Sequence, residues 1–168
     1  MRLWSGSPPN HARCEFCEVN VSKELTDSRI NDWFRWKNGT PLSEAKQESV
    51  NRNFLLRRGE LIGLEDRSAE ILLSKFSEGG AIWRIFWLHC WQPTRFPIYD
   101  QHVHRAMRFI QTGEPEEIPS GDNRKIRAYL EEYLPFHASF AGLPQRAVDK
   151  ALWAFGMFIN ENNFPHRS

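Results

Sequence analysis

The sequence predicts an all-α protein, and three observations carry that reading. Apolar residues recur at three- and four-residue spacing in successive segments, each bracketed by a capping residue and a glycine or proline. No convincing pair of alternating strands and no internal repeat competes with that pattern. Of 168 residues, 40% are apolar and 13% aromatic, including seven Trp and twelve Phe, which suffices for a sizeable core and argues against disorder. The organisation read from this is an irregular N-terminal arm over residues 1–22 and a single helical domain over 23–168.

The elements follow in order. Thr26 reads as the N-cap of a short amphipathic helix over 27–37, with Ile30, Trp33 and Phe34 on one face and Asn38-Gly39 as its stop. Ser43 starts a second helix running to about Arg58, where Gly59 ends it. After an apolar connector, Asp66 or Ser68 caps a helix that carries Ala69, Leu72, Leu73 and Phe76 into the turn Ser77-Glu78-Gly79-Gly80. The apolar run from Ala81 to His89 is helical, and Trp83, Trp87 and Trp91 form a stripe that reads first as core packing. Pro93 and Pro97 enforce an extended loop, and Asp100 opens a helix to about Gln111, ended by Gly113. Asp122 is expected to cap a helix through Tyr133, and Pro144 to open a final helix with Val148, Ala151, Leu152, Phe155 and Phe158 on its apolar stripe. Arg146, Asp149 and Lys150 read as ordinary charges of that helix.

A formal net charge of +1 does not announce a nucleic-acid binder. Local charge says more. Between Gly79 and Gly113 the only acidic residue is Asp100, while Arg84, Arg95, Arg105 and Arg108 lie there with His89, His102 and His104. Such a setting suits a polyanion held beside a carboxylate that has to stay ionised. With no run of eighteen apolar residues and no signal-peptide core, a cytoplasmic protein without a membrane partner is expected. Three cysteines fit a reducing compartment. His11, Cys14 and Cys17 have ligand-type spacing, but a structural zinc site usually takes four ligands and no second cysteine pair follows, so no metal is expected. Cys90 reads as a small buried apolar group.

The string Arg95-Phe96-Pro97-Ile98-Tyr99-Asp100-Gln101-His102-Val103-His104-Arg105 sets one carboxylate at a loop-to-helix junction. An aspartate there is first of all a helix cap, and the same placement favours its anion. Turn, helix, Pro-containing loop, aspartate, helix is an order that resembles the helix-hairpin-helix DNA glycosylases, with the hairpin over about 69–91 and the catalytic loop and helix over 92–111. In that superfamily the catalytic aspartate lies in a Pro-Val-Asp-Thr-His-Val or Pro-Ile-Leu-Asp-Gly-Asn-Val type string followed by an arginine; Pro97, Ile98, Asp100, Val103 and Arg105 match.

The resemblance implies a compact glycosylase-like fold in which Asp100 is catalytic, opposing the positive charge that develops on a sugar as its N-glycosidic bond breaks and directing the attacking water. It implies DNA contacts from Gly79, Gly80, Arg84, His102, His104, Arg105 and Arg108, although Phe76-Ser77-Glu78-Gly79-Gly80 departs from the family's Leu-Pro-Gly-Val-Gly hairpin. Tyr99, Trp33, Trp36 and Trp83 are the candidates for stacking against an extruded base. Bifunctional members carry a lysine eighteen or nineteen residues before the aspartate, where this chain has Ile82 or Ala81, and Lys75 lies on the other side of the turn. The expected activity is therefore that of a monofunctional glycosylase, a monomer without cofactor or iron–sulfur cluster, acting on double-stranded DNA with a modified base. Its setting would be base excision repair or antiviral defence against phage DNA with modified bases. The alternatives are a non-catalytic helix-hairpin-helix DNA-binding module, or a helical interaction protein with a zinc-binding arm.

Overall fold

The structure is a computed structural model that describes residues 25–162, so the 1–22 arm, with His11, Cys14 and Cys17, lies outside the described residues. The described chain is helical and contains no strand. It divides into two compact units, one ending at Arg58 and one beginning at Gly59.

In the N-terminal unit, α1 spans Asp27–Asn38 and α2 spans Glu44–Val50. The caps are those the sequence predicts. Thr26 accepts a hydrogen bond from the Arg29 amide at 3.4 Å, Ser43 does the same for Lys46, and Gly39 closes α1 at φ 74°, a left-handed conformation that glycine adopts without a Cβ penalty. Ile30, Trp33 and Phe34 are buried, and Phe34 stacks on Phe54 with ring centroids 4.7 Å apart. The helix expected to run on to Arg58 loses its regular pitch after Val50, where a wide π-type turn over Asn51–Leu55 inserts a residue and brings both Asn53 and Phe54 inward. Asn53 meets its polar requirement there by donating to Ser49 Oγ at 3.0 Å.

Among the described residues the C-terminal unit holds six α-helices: α3 (Ala69–Lys75), α4 (Ala81–Trp91), α5 (Gln101–Thr112), α6 (Asp122–Arg127), α7 (Leu134–Ala138) and α8 (Gln145–Glu161). Its centre is α4, which buries Ala81, Ile85, Phe86, Trp87, Leu88 and Cys90 and so is apolar nearly all round, as a helix packed on most sides must be. Between α6 and α7 a second π-type turn, Ala128–Tyr133, replaces the predicted regular helix and turns Tyr129 and Tyr133 into the core. Asp122 does not cap α6; it is the first helical residue, behind Gly121 at φ 85°. The sequence reading does not include α7, whose Pro135 stands in the helix's first turn, a position that proline tolerates.

The most extensive helix pairing is α5 against α8, and one glycine permits it. A Cβ built on Gly156 would sit 1.9 Å from the His102 carbonyl oxygen, so only a residue without a side chain lets the two backbones approach. No described helix is long and apolar enough to cross a membrane.

Candidate active site

The loop before Asp100 is tied down on several sides. His89 Nδ1 lies 2.8 Å from the Phe96 carbonyl, the Tyr129 hydroxyl donates to the Pro97 carbonyl at 3.5 Å, and Phe96, Pro97, Ile98 and Tyr99 are all buried. Arg95 bonds the carbonyls of Glu65 and Arg67, the latter at 2.8 Å, and stacks its guanidinium 4.9 Å over the Phe96 ring. A segment with so few conformational options delivers Asp100 to one place. Its backbone there is extended, and its Oδ1 accepts from the amides of His102 at 3.0 Å and Val103 at 3.1 Å, so it is the N-cap of α5. The carboxylate is partly exposed, at the positive end of that helix.

The arginines tell a different story from the one expected of them. The sequence shows no carboxylate near Asp100 because those that matter come from later in the chain. Arg105 is buried, with Nη2 at 2.7 Å and Nε at 3.2 Å from Glu117 Oε1, and its Nη1 reaches the Gly156 carbonyl at 3.4 Å. Arg108 pairs with Glu116 at 2.5 Å and Glu132 at 3.5 Å. The predicted basic field around a lone carboxylate is thus largely neutralised, and Arg105 braces α5 against α8 in place of facing a phosphate. Arg84 is also corrected. It is buried and bonds the carbonyls of Leu73 and, at 2.7 Å, Phe76, the groups that the C-terminus of α3 leaves without amide partners. Burial lowers its pKa, and Asp122 and Glu78 oppose that shift. Its role is to fasten the turn between α3 and α4.

That turn, Phe76 to Gly80, carries Gly79 at φ 86° and Gly80 as the N-cap residue of α4. Among the described residues no side chain caps α4, Gly80 is exposed, and nothing lies within 4 Å of where its Cβ would be. Both glycines are where the sequence places them, at the head of α4.

His102 is partly exposed beside Asp100, its ring edge-on to Trp153 of α8 with centroids 5.7 Å apart and its Nδ1 3.4 Å from Arg105 Nη1. His104, expected as a phosphate contact, is buried; its Nδ1 pairs with the Tyr99 hydroxyl at 2.8 Å, and desolvation lowers its pKa, which makes the neutral ring the stable form. Tyr99 is corrected with it. Its ring is fully buried, 5.1 Å from Tyr133 and 5.6 Å from Tyr129, so it offers no face to an extruded base. Trp33 is likewise fully buried within the N-terminal unit, whereas Trp36 and Trp83 keep part of their surface exposed. Trp153, missed by the sequence reading, is a partly exposed aromatic residue in ring contact with His102, the second residue after Asp100. Its signal is the helical phase it shares with Gly156, three residues on. Among the described residues no three His, Cys, Asp or Glu side chains come together to hold a metal ion.

Set against known proteins, the chain matches no family model, no curated protein and no solved structure.

Proposed function

We propose that the protein is a monofunctional DNA glycosylase with a helix-hairpin-helix element built from α3, the Gly79–Gly80 turn and α4, and with Asp100 as its catalytic carboxylate. One observation carries the reading: an aspartate fixed through one oxygen by two backbone amides, partly exposed, at the head of a helix that follows an anchored loop and an open glycine turn. Glycosidic cleavage builds positive charge on the sugar, and a carboxylate that need not reorganise opposes it. The modified nucleotide would be extruded, with Trp83 and Trp153 the partly exposed aromatic candidates for stacking its base. No lysine occupies the head of α4, where Ala81 and Ile82 stand, so water is the nucleophile and an abasic site the product. The partner is double-stranded DNA, bound by a monomer in base excision or antiviral defence.

The same two amide bonds favour a second reading, a non-catalytic DNA-binding module in which Asp100 only caps α5. The two separate cleanly. Duplexes carrying alkylated, oxidised or uracil bases, and phage DNA with modified bases, are incubated with the protein, heated in alkali and screened for free base by mass spectrometry. Alkali-labile sites and released base that vanish in Asp100→Asn support the enzyme. DNA retention with no free base from any substrate supports the module.

A further inference from the structure

Asp149, read from the sequence as an ordinary charge of the last helix, is 2% exposed. Arg146 Nη1, one turn earlier on α8, lies 3.6 Å from its Oδ2, and His137 Nε2 of α7 lies 3.2 Å from its Oδ1. The same Arg146 Nη1 lies 3.4 Å from His89 Nε2 of α4. His89 is itself buried, in the apolar helix at the centre of the unit, and its Nδ1 lies 2.8 Å from the carbonyl of Phe96, in the loop that leads to Asp100. A chain of polar contacts therefore runs from α8 through α4 to the loop that delivers the carboxylate. An imidazole taken out of water needs partners for both nitrogens, and here each has one.

We propose that His89 is a positioning residue for Asp100, held as the neutral Nδ1–H tautomer by the Phe96 carbonyl on one side and by Arg146, oriented by Asp149, on the other. The tautomer follows from the partners. A carbonyl oxygen only accepts and a guanidinium only donates, so Nδ1 carries the hydrogen and Nε2 the lone pair. The opposite tautomer sets a lone pair against the Phe96 oxygen and an N–H against the guanidinium; the doubly protonated ring keeps the second of these conflicts. The buried Asp149 oxygen draws the guanidinium of Arg146 toward the protein interior, where it meets His89. Helix α8 thus grips both flanks of Asp100. Arg146 acts through His89 on the loop before it, and Gly156, further along the same helix, receives the His102 carbonyl after it. The consequence for catalysis rests on the glycosylase reading; the tautomer and the positioning do not.

The test uses the full-length protein. Long-range proton–nitrogen NMR correlations of its imidazoles, with the His89 signals assigned by their loss in His89→Asn, are expected to show Nδ1 protonated and Nε2 bare. In Arg146→Met the Nε2 signal is expected to shift, because it loses its donor. An Nε2–H or doubly protonated ring at neutral pH, or an Nε2 signal unmoved in Arg146→Met, overturns the proposal. His89→Leu removes the hydrogen bond to Phe96, whereas His89→Asn keeps a donor in the place of Nδ1. Exchange of the His102 and Val103 amides, which Asp100 Oδ1 holds, should therefore quicken roughly tenfold in His89→Leu relative to amides in the middle of α8, and return near the wild-type rate in His89→Asn. Equal quickening throughout the protein, or none, reduces His89 to packing and overturns the positioning role. For base release, kcat should fall roughly 10- to 100-fold in His89→Leu with KM unchanged, the scale of a misplaced reacting group, and recover in His89→Asn. Should His89→Leu not fold, the wild-type tautomer and the Arg146→Met shift decide. A wild type that releases no base from any duplex, with the tautomer and exchange results as expected, keeps the positioning role and overturns the glycosylase reading alone.

Discussion

Two helix N-termini in the C-terminal unit, those of α4 and α5, begin with the same electrostatics and end with opposite ones. Each presents amides that lack helical partners and a partial positive charge. At α5 the Asp100 carboxylate takes two of those amides and leaves a net negative group at the helix head. At α4 no side chain among the described residues does so, and nothing lies within 4 Å of where a Gly80 Cβ would be. The first end suits a developing cation; the second suits a phosphate. On the proposed glycosylase reading, these two neighbouring helices would divide between them the two tasks of holding the DNA backbone and opposing charge on the sugar.

The largest effect that would break this contrast is on catalysis. Asparagine caps a helix as well as aspartate does, so Asp100→Asn should leave thermal stability nearly unchanged while lowering single-turnover base release about 10²- to 10³-fold, the usual cost of losing one electrostatic stabiliser. Equal loss of fold and activity would reduce Asp100 to a cap.

Next comes the contact that holds the head of α5 in place. Gly156→Ala drives a methyl group into the His102 carbonyl and should cost about 1–3 kcal/mol in urea unfolding, the range for overpacking a close contact. An unchanged midpoint would mean that α8 does not fix the site.

A smaller, pH-dependent loss is expected from the tyrosine cluster behind Asp100. Burial is the main cause that raises all three phenols, with Asp149 adding to the shift of Tyr129 and Tyr133. Since the folded pKa values exceed the unfolded value of about 10, stability is complete below that pH and is lost as pH rises from there through the folded values. Tyrosinate absorbance should therefore appear in one step, together with loss of helical circular dichroism. A phenol titrating near pH 10 in the folded protein would contradict the buried stack.

The smallest effect converts one helix head into the other. Gly80 has φ −68° and ψ 146°, which any residue adopts, so Gly80→Asp should fit, cap α4 and stabilise the protein by about a few tenths of a kcal/mol. It should also weaken DNA binding and flatten its salt dependence, as measured by fluorescence anisotropy. Unaltered affinity would remove the glycine turn from the DNA surface.

Much of the helical layout is legible in the amino-acid sequence. Thr26, Ser43, Ser68 and Asp100 cap helices by bonding an amide two or three residues on, and Gly39 and Gly113 end helices within one turn, so their effects fit inside a short window of sequence. Asp100 stands out for the same reason. The arginines mislead because their partners are distant: Glu117 is twelve residues from Arg105, and the Arg84 partners lie on the preceding helix and the turn that ends it. Tyr99 and His104 look available for stacking and phosphate in the sequence, but packing buries them beside Tyr129 and Tyr133. Asp149 carries no sequence sign of burial.

The amino-acid order by itself determined most of the helical segments, where most of those start and stop, and that a carboxylate heads α5. Only the tertiary structure decided which charges are cancelled, which aromatic rings remain exposed, and that Gly156 is the point where two backbones touch. Caps and periodicity act between residues within a turn of one another, whereas desolvation, ion pairing and steric exclusion act between groups that meet only after the chain has folded.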